Sequence, residues 1–250
     1  MFIILGIVLL AVIFSVFYFL GDKIMKQSET DIVFTESSVE PLKDYVEGCI
    51  KEHGDVVLEL IGTYGDFNSN PGLGVMYHNE KINYLCYTEE YGPCFNRNPF
   101  LENYYETGIS EYLFTELSSC IDLDFLRDEG YIVETGDLLV STTIGEKVVI
   151  VTVDYPITMS KDETVIEETR FSKTFDIPLG KLLDAAKDII EYESDPESLP
   201  IMEFDVLNYN IRTLGEVEIE VDTIGDSRLY FIGSRNNNYV YRFAIQKWVN

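Results

Sequence analysis

The chain has 250 residues, with 18 Lys and Arg against 44 Asp and Glu, a net charge of −26, and 46% apolar residues. The apolar share supports a folded core, and the charge excludes a basic nucleic-acid surface or a polybasic patch on anionic lipid. Two histidines exclude a multi-histidine metal centre.

Residues 1–20, MFIILGIVLLAVIFSVFYFL, carry no charge. Twenty helical residues span about 30 Å, the hydrocarbon thickness of a bilayer, and Phe17, Tyr18 and Phe19 fall where interfacial aromatics sit. A cleaved signal peptide would have a shorter apolar core after a basic start, so the pattern predicts an uncleaved single-pass transmembrane helix held by membrane lipid. A pilin-like stem packed into a filament core is the alternative. Residues 21–37 form a polar stem. Lys23 and Lys26 favour a cytoplasmic domain by the positive-inside rule, but long domains translocate largely regardless of such charges.

The remainder, 38–250, predicts one α+β domain of antiparallel sheet with packed helices. Its expected parts are a helical and hairpin part (38–130), a β-meander plus helix (131–195) and C-terminal strands (215–249). A helix over about 39–53 buries Leu42, Tyr45, Val46, Cys49 and Ile50, and Gly54 ends it. A second short helix, VVLELIGTYG, stops at Gly62 and Gly65. The stretch Asp66-Phe-Asn68-Ser-Asn70-Pro-Gly resembles the start of a calcium loop, but Pro71 stands where the glycine belongs and Tyr77 where the glutamate does, so an Asx-rich turn is the better reading. GVMY, the turn HNEK and INYLCY predict a hairpin.

Cys49, Cys86, Cys94 and Cys120 make an even count, which in a membrane-anchored chain points to two disulfides in an oxidising compartment. Cys86 and Cys94 bracket a short loop turned by Gly92-Pro93, while Cys49 and Cys120 sit late in predicted helices. The pairing 49–120 with 86–94 is the favoured one of three connectivities, with four buried thiols in a reducing compartment as the alternative. No C-x2-C pair is present to hold zinc.

A helix over about 103–120 carries Ile109, Tyr112, Leu113, Leu117 and Cys120 inward. From residue 131, YIVET, DLLVSTTI, KVVIVTVDYPITM and TVIEETRFSKTFDI predict a four-strand meander with turns at Gly136-Asp137, Gly145-Glu146 and Lys161-Asp162. Pro156 marks an edge or bulge. Pro178 opens a helix with the stripe Leu179, Leu182, Leu183, Ala186, Ile189 and Ile190. Three strands, EVEIEVDTI, SRLYFIGS and YVYRFAIQKWV, close the chain.

No G-x-S-x-G elbow, phosphate loop or H-E-x-x-H is present, and neither His53 nor His78 has an implied nucleophile partner. No catalytic residue, metal ligand or cofactor is expected. The aromatic residues offer more. Tyr84, Tyr87, Tyr91 and Phe95 surround the 86–94 loop, and Phe100, Tyr104 and Tyr105 follow it. The leading reading is that the rings pack the loop onto its own domain; beside it, rigid aromatic side chains on a tied loop can make a contact surface for a protein or a glycan.

The segments VEGCIKEHGDVVLELIGTYG, LSSCIDLDF, GYIVETGDLLVSTTIGEKVVIVTVDYPITMSK and FDIPLGKLLDAAKDII, behind an N-terminal anchor, resemble a group of uncharacterised single-pass, membrane-anchored extracytoplasmic proteins of small-genome (DPANN) archaea. The resemblance covers most of residues 39–193. It implies an extracytoplasmic domain in which Cys49 and Cys120 match the group's paired cysteines, with Cys86 and Cys94 in its variable region. It departs at TYGDFN, where relatives tend towards a glutamine-glycine-glycine-tyrosine run, and it brings no assigned functional residues. The expected function is a membrane-anchored cell-surface protein with a structural or binding role. A filament subunit, a homo-oligomer of this chain, is one alternative; an envelope hydrolase using carboxylates is the other.

Overall fold

Helix α1 (Glu40–Tyr64) runs through both glycines expected to break it. Their missing side chains make room instead. A Cβ on Gly54 would lie 2.2 Å from the Phe175 ring, and one on Gly62 would lie 2.9 Å from the Val240 carbonyl oxygen and 3.0 Å from the Tyr239 ring. The helix ends at Gly65, whose φ of +65° suits glycine and whose N–H returns to the Ile61 carbonyl at 2.9 Å. The computed structural model describes residues 40–89, 92–195, 204–213 and 216–246. Among these no helix is long and apolar enough to cross a membrane; the expected anchor (1–20) and stem (21–37) lie outside the described residues.

The α+β class holds, with strands that pair mostly antiparallel in two sheets. The first sheet begins with the expected hairpin, β1 (Gly74–Tyr77) and β2 (Glu80–Tyr87), joined by His78 and Asn79. Both turn residues have positive φ, as a two-residue type I′ turn requires. Short β3 (Phe95–Asn96) pairs with one side of β2. The closing strands β8 (Val217–Ile224), β9 (Ser227–Ser234) and β10 (Asn237–Gln246) pair antiparallel among themselves, and β10 joins β2 in parallel. The order is β1-β2-β10-β9-β8.

The second sheet contains β4 (Ile132–Thr135), β5 (Leu139–Ile144), β6 (Val149–Lys161) and β7 (Thr164–Phe175). It is not the expected simple meander. Strands β4 and β5 do not pair with each other; they follow one another along the same edge of β6, opposite Ile157–Ser160 and Val149–Asp154. The Gly136-Asp137 pair is therefore no hairpin turn. It spans the bulge at Tyr155-Pro156, where the Gly136 N–H bonds the Pro156 carbonyl at 2.8 Å.

Helices complete the layers. Helix α2 (Leu101–Cys120) buries Leu101, Tyr105, Ile109, Leu113 and Leu117 at four-residue spacing and lies along β5. It covers that edge: the Glu106 carboxylate accepts the Ile144 N–H at 2.9 Å, and Ser110 Oγ bonds Thr142 Oγ1 at 3.0 Å. Short α3 (Asp124–Asp128) was not evident in the sequence. Helix α4 (Leu179–Ser194) buries the expected stripe against the first sheet. Helix α5 (Val206–Arg212), also unexpected, is capped by Asp205, whose side chain accepts the Asn208 N–H at 2.9 Å.

Two disulfides are present. Cys49–Cys120 joins α1 to the end of α2 with the Cα atoms 6.0 Å apart, and Cys86–Cys94 ties β2 to the start of β3 at 5.2 Å. Beside the first bridge, the Tyr45 hydroxyl bonds the Cys120 carbonyl at 2.9 Å.

Candidate binding groove along helix α2

The seven aromatic residues expected to form one contact surface separate in the fold. Tyr84 and Tyr105 are core residues. Tyr84 is buried with its hydroxyl 2.5 Å from Ser227 Oγ. Tyr105 is fully buried; its hydroxyl donates to the Gly65 carbonyl at 2.9 Å and lies 2.8 Å from the Tyr241 hydroxyl. Burial pushes the Tyr105 phenol well above its ordinary range, with Tyr241 adding to it. Tyr87 is half-buried on the apolar cluster around Ile82, Tyr84, Leu229 and Ala244. Tyr91 lies outside the described residues. Phe95 is exposed on β3. Phe100 and Tyr104 are the two that line a groove.

That groove is open, about 680 Å³ in volume, and lies on the face of α2 turned away from the core stripe. Its position follows from three local causes. First, Cys86–Cys94 and the β2/β3 pairing fix the strand that leads into α2, and the Arg97 N–H extends that pairing to the Leu85 carbonyl at 2.9 Å. Second, Asn96 accepts the Asn98 N–H at 2.9 Å, an Asx turn that delivers Pro99 and Phe100 to the start of the helix. Phe100 occupies the N-cap position and leaves its side chain 79% exposed. Third, the Asx turn over Asp66–Asn70 docks Phe67 on the helix. Asp66 Oδ1 accepts the Phe67 N–H at 2.7 Å, and Asn68 Oδ1 accepts the Asn70 N–H at 2.9 Å.

Gly108 explains how Phe67 fits. A Cβ there would fall 2.0 Å from the tip of the Phe67 ring, so the ring sits directly on the helix backbone. Tyr104 and Tyr105 hold it from the side, with centroids 5.3 and 5.5 Å away. Phe67, Tyr104 and Tyr112 give the groove its aromatic surface and Phe100 a freely exposed wall, while Asn98, Asn103 and Thr107 add neutral polar groups. Among the described residues its charged side chains are Arg97 and Glu111.

The electrostatics beneath are also ordered. Partial burial holds the Asp66 carboxyl above its ordinary range, against the lowering effects of the Phe67 and Asn68 N–H groups and of Arg97. The Tyr104 phenol is raised by burial and by the Asp66 charge, with Arg97 opposing. Burial thus works against the charged form of both groups beside the groove floor.

A second groove of about 700 Å³ runs between α2 and β5, with Phe114 and Leu139 exposed on its sides. Its Glu106 is committed to the Ile144 N–H.

Sequence reading missed Phe67, Arg97, Asn103 and Glu111, and placed Tyr112 inward, where it proves half-buried on the groove. A signal was present: Tyr104, Thr107, Gly108, Glu111 and Tyr112 recur at spacings of three and four, on the face opposite the leucine stripe. Elsewhere, His53 Nδ1 lies 3.6 Å from Glu116 Oε2, and His78 sits in the hairpin turn. Among the described residues no three His, Cys, Asp or Glu side chains gather to hold a metal ion. No family model, curated protein or solved structure matches the chain.

Proposed function

We propose that this chain is a membrane-anchored cell-surface binding protein: residues 1–20 fix it to the lipid, and the groove along α2 receives its partner outside the cytoplasm. The observation that carries the reading is the groove itself. An aromatic wall, Phe100, stands 79% exposed in the same groove as the Phe67 ring, which the fold packs directly against Gly108. Binding to Phe67 and Tyr104 loses little side-chain entropy, because their packing orders those two rings beforehand. The two disulfides support an oxidising location. One carboxylate, Glu111, lines the groove, whereas hydrolysis by paired carboxylates needs two. That favours holding a partner over cleaving it.

Intact cells treated with a membrane-impermeant amine-reactive biotin test the placement. Lys51, whose side chain is 61% exposed, should be labelled without permeabilisation. Labelling that appears only after permeabilisation overturns the reading.

A further inference from the structure

We infer that the groove along α2 binds a neutral oligosaccharide, with its rings stacked on pyranose faces and Arg97, Asn103 and Glu111 bonded to hydroxyls. This rests on the reading that the groove is the contact site, and it names the ligand class. Three features of the groove lead there.

The first is charge. The chain carries −26 overall, yet the groove lining holds one cation, Arg97, and one anion, Glu111. A cationic partner would find far more complementary surface elsewhere on the protein, and an anionic partner would approach against the whole field. Among the described residues the lining balances one cation against one anion, with the Asp66 carboxylate partly buried beside Arg97, and a lining without a dominant charge suits an uncharged ligand.

The second is the mixture of surfaces. Four aromatic rings, Phe67, Phe100, Tyr104 and Tyr112, alternate with planar or hydroxyl polar groups. A pyranose has the matching duality: apolar C–H faces for rings, and a rim of hydroxyls for polar side chains. The volume of about 680 Å³ lies within the range of small-ligand sites, and the groove is open to solvent.

The third separates a sugar from the other ligand that aromatic grooves take, an extended proline-rich peptide. Proline has no N–H, so such a peptide offers mainly acceptors. Glu111 is an acceptor only, and Asn98, Asn103 and Thr107 both donate and accept. Hydroxyls can bond both kinds of group, whereas prolines offer the exposed Glu111 carboxylate no donor and leave it to water.

The test uses the full chain in dodecylphosphocholine micelles, a detergent without a sugar headgroup. It is applied to a printed array of neutral hexose and N-acetylhexosamine oligosaccharides, uronic-acid and sialylated oligosaccharides, and proline-rich decapeptides. The expected result is binding to neutral oligosaccharides that falls at least tenfold in Phe100→Ala and in Glu111→Gln. Both side chains are exposed, so the variants keep their fold, and an unchanged melting temperature confirms it. Phe95→Ala, on the exposed side of β3, should bind as the parent does. Preferred binding of charged saccharides, or of the decapeptides, in a Phe100-dependent manner overturns the neutral-sugar assignment while leaving the groove as the contact site. Binding that Phe100→Ala and Glu111→Gln leave unchanged, or no binding at all, overturns the assignment. If parent and Phe100→Ala chains then also adhere equally to isolated envelopes, the groove reading falls with it.

Discussion

The two sheets are built on different principles. In the second sheet β6 alternates: Val149, Val151 and Val153 are buried, while Ile150 between them is 37% exposed. One face meets the core and the other meets solvent. In the first sheet burial is nearly continuous along the central strands. Ile82 to Cys86 on β2 and Ser227 to Tyr230 on β9 are all buried. Helix α4 packs on this sheet, and a separate cluster of Ile82, Tyr84, Leu229 and Ala244 is closed over by Leu73, Val75 and Tyr77. A two-sided sheet leaves its tyrosine hydroxyls no water, so each needs a partner inside the protein. Tyr230 donates to Glu193 at 2.6 Å, Tyr239 to the Leu58 carbonyl at 2.7 Å, and Tyr241 meets Tyr105.

This contrast has its largest consequence at high pH. Burial first, then the neighbouring Glu193 carboxylate, pushes the Tyr230 phenol far up. Burial does the same to Tyr105, Tyr239 and Tyr241, and lifts Tyr209, beside Asp188, to about 12. In the unfolded chain these phenols ionise near about 10. Below that pH both states hold the proton and the groups leave stability unchanged. Above it the unfolded chain loses protons that the folded chain keeps, so stability falls, by up to about 1.4 kcal/mol per pH unit for each withheld phenol. The chain should therefore unfold cooperatively above about pH 10. Phenolate absorbance should rise in two stages, the second coinciding with loss of circular dichroism. A single stage complete before unfolding would contradict the sealed first sheet.

Truncation along single strands tests the same contrast at smaller magnitude. Leu229 and Ile232 point to opposite faces of β9, and both are buried. Leu229→Ala and Ile232→Ala should each cost about 2–5 kcal/mol in denaturant unfolding. On β6 the neighbours should diverge, with Val151→Ala costing about 2 kcal/mol and Ile150→Ala less than about 1. Equal losses at Ile150 and Val151 would show the second sheet to be covered on its outer face as well.

The same difference decided how much could be read beforehand. Alternation made β5 to β7 visible, and the stripes of α2 and α4 showed in the same way, because a single buried face leaves a period in the sequence. The hairpin of GVMY and INYLCY and the pairing of Cys86 with Cys94 are local and were equally legible, although the turn is His78-Asn79 alone where HNEK was expected. What failed was information held by distant partners. Gly54 and Gly62 read as helix ends because the Phe175 and Tyr239 rings that require them lie far along the chain. Strands β4 and β5 read as a hairpin because the bulge that aligns them is on β6. The groove was half legible for the same reason. Phe100 and Tyr104 stood out as aromatics, but Phe67 enters from a turn more than thirty residues earlier, and only Gly108 marked its place. Tyr84 and Tyr105 could not be separated from the surface candidates, because a tyrosine looks alike in sequence whether its hydroxyl meets water or a buried partner.

A more local effect is expected at that hydroxyl in Tyr105. Removing it in Tyr105→Phe keeps the ring and its packing on Phe67. Two groups lose a partner, but unequally. The Gly65 carbonyl still accepts the Asn83 side-chain N–H at 3.0 Å. The Tyr241 hydroxyl, fully buried beside it, loses the hydroxyl 2.8 Å away. The cost should therefore approach that of one buried unsatisfied hydroxyl, about 1–2 kcal/mol, rather than two. The double variant Tyr105→Phe/Tyr241→Phe removes the orphan as well and should recover part of the loss. A double variant less stable than the sum of its singles would mean that the Tyr241 hydroxyl had found another partner, and that the first sheet tolerates rearrangement where its burial says it should not.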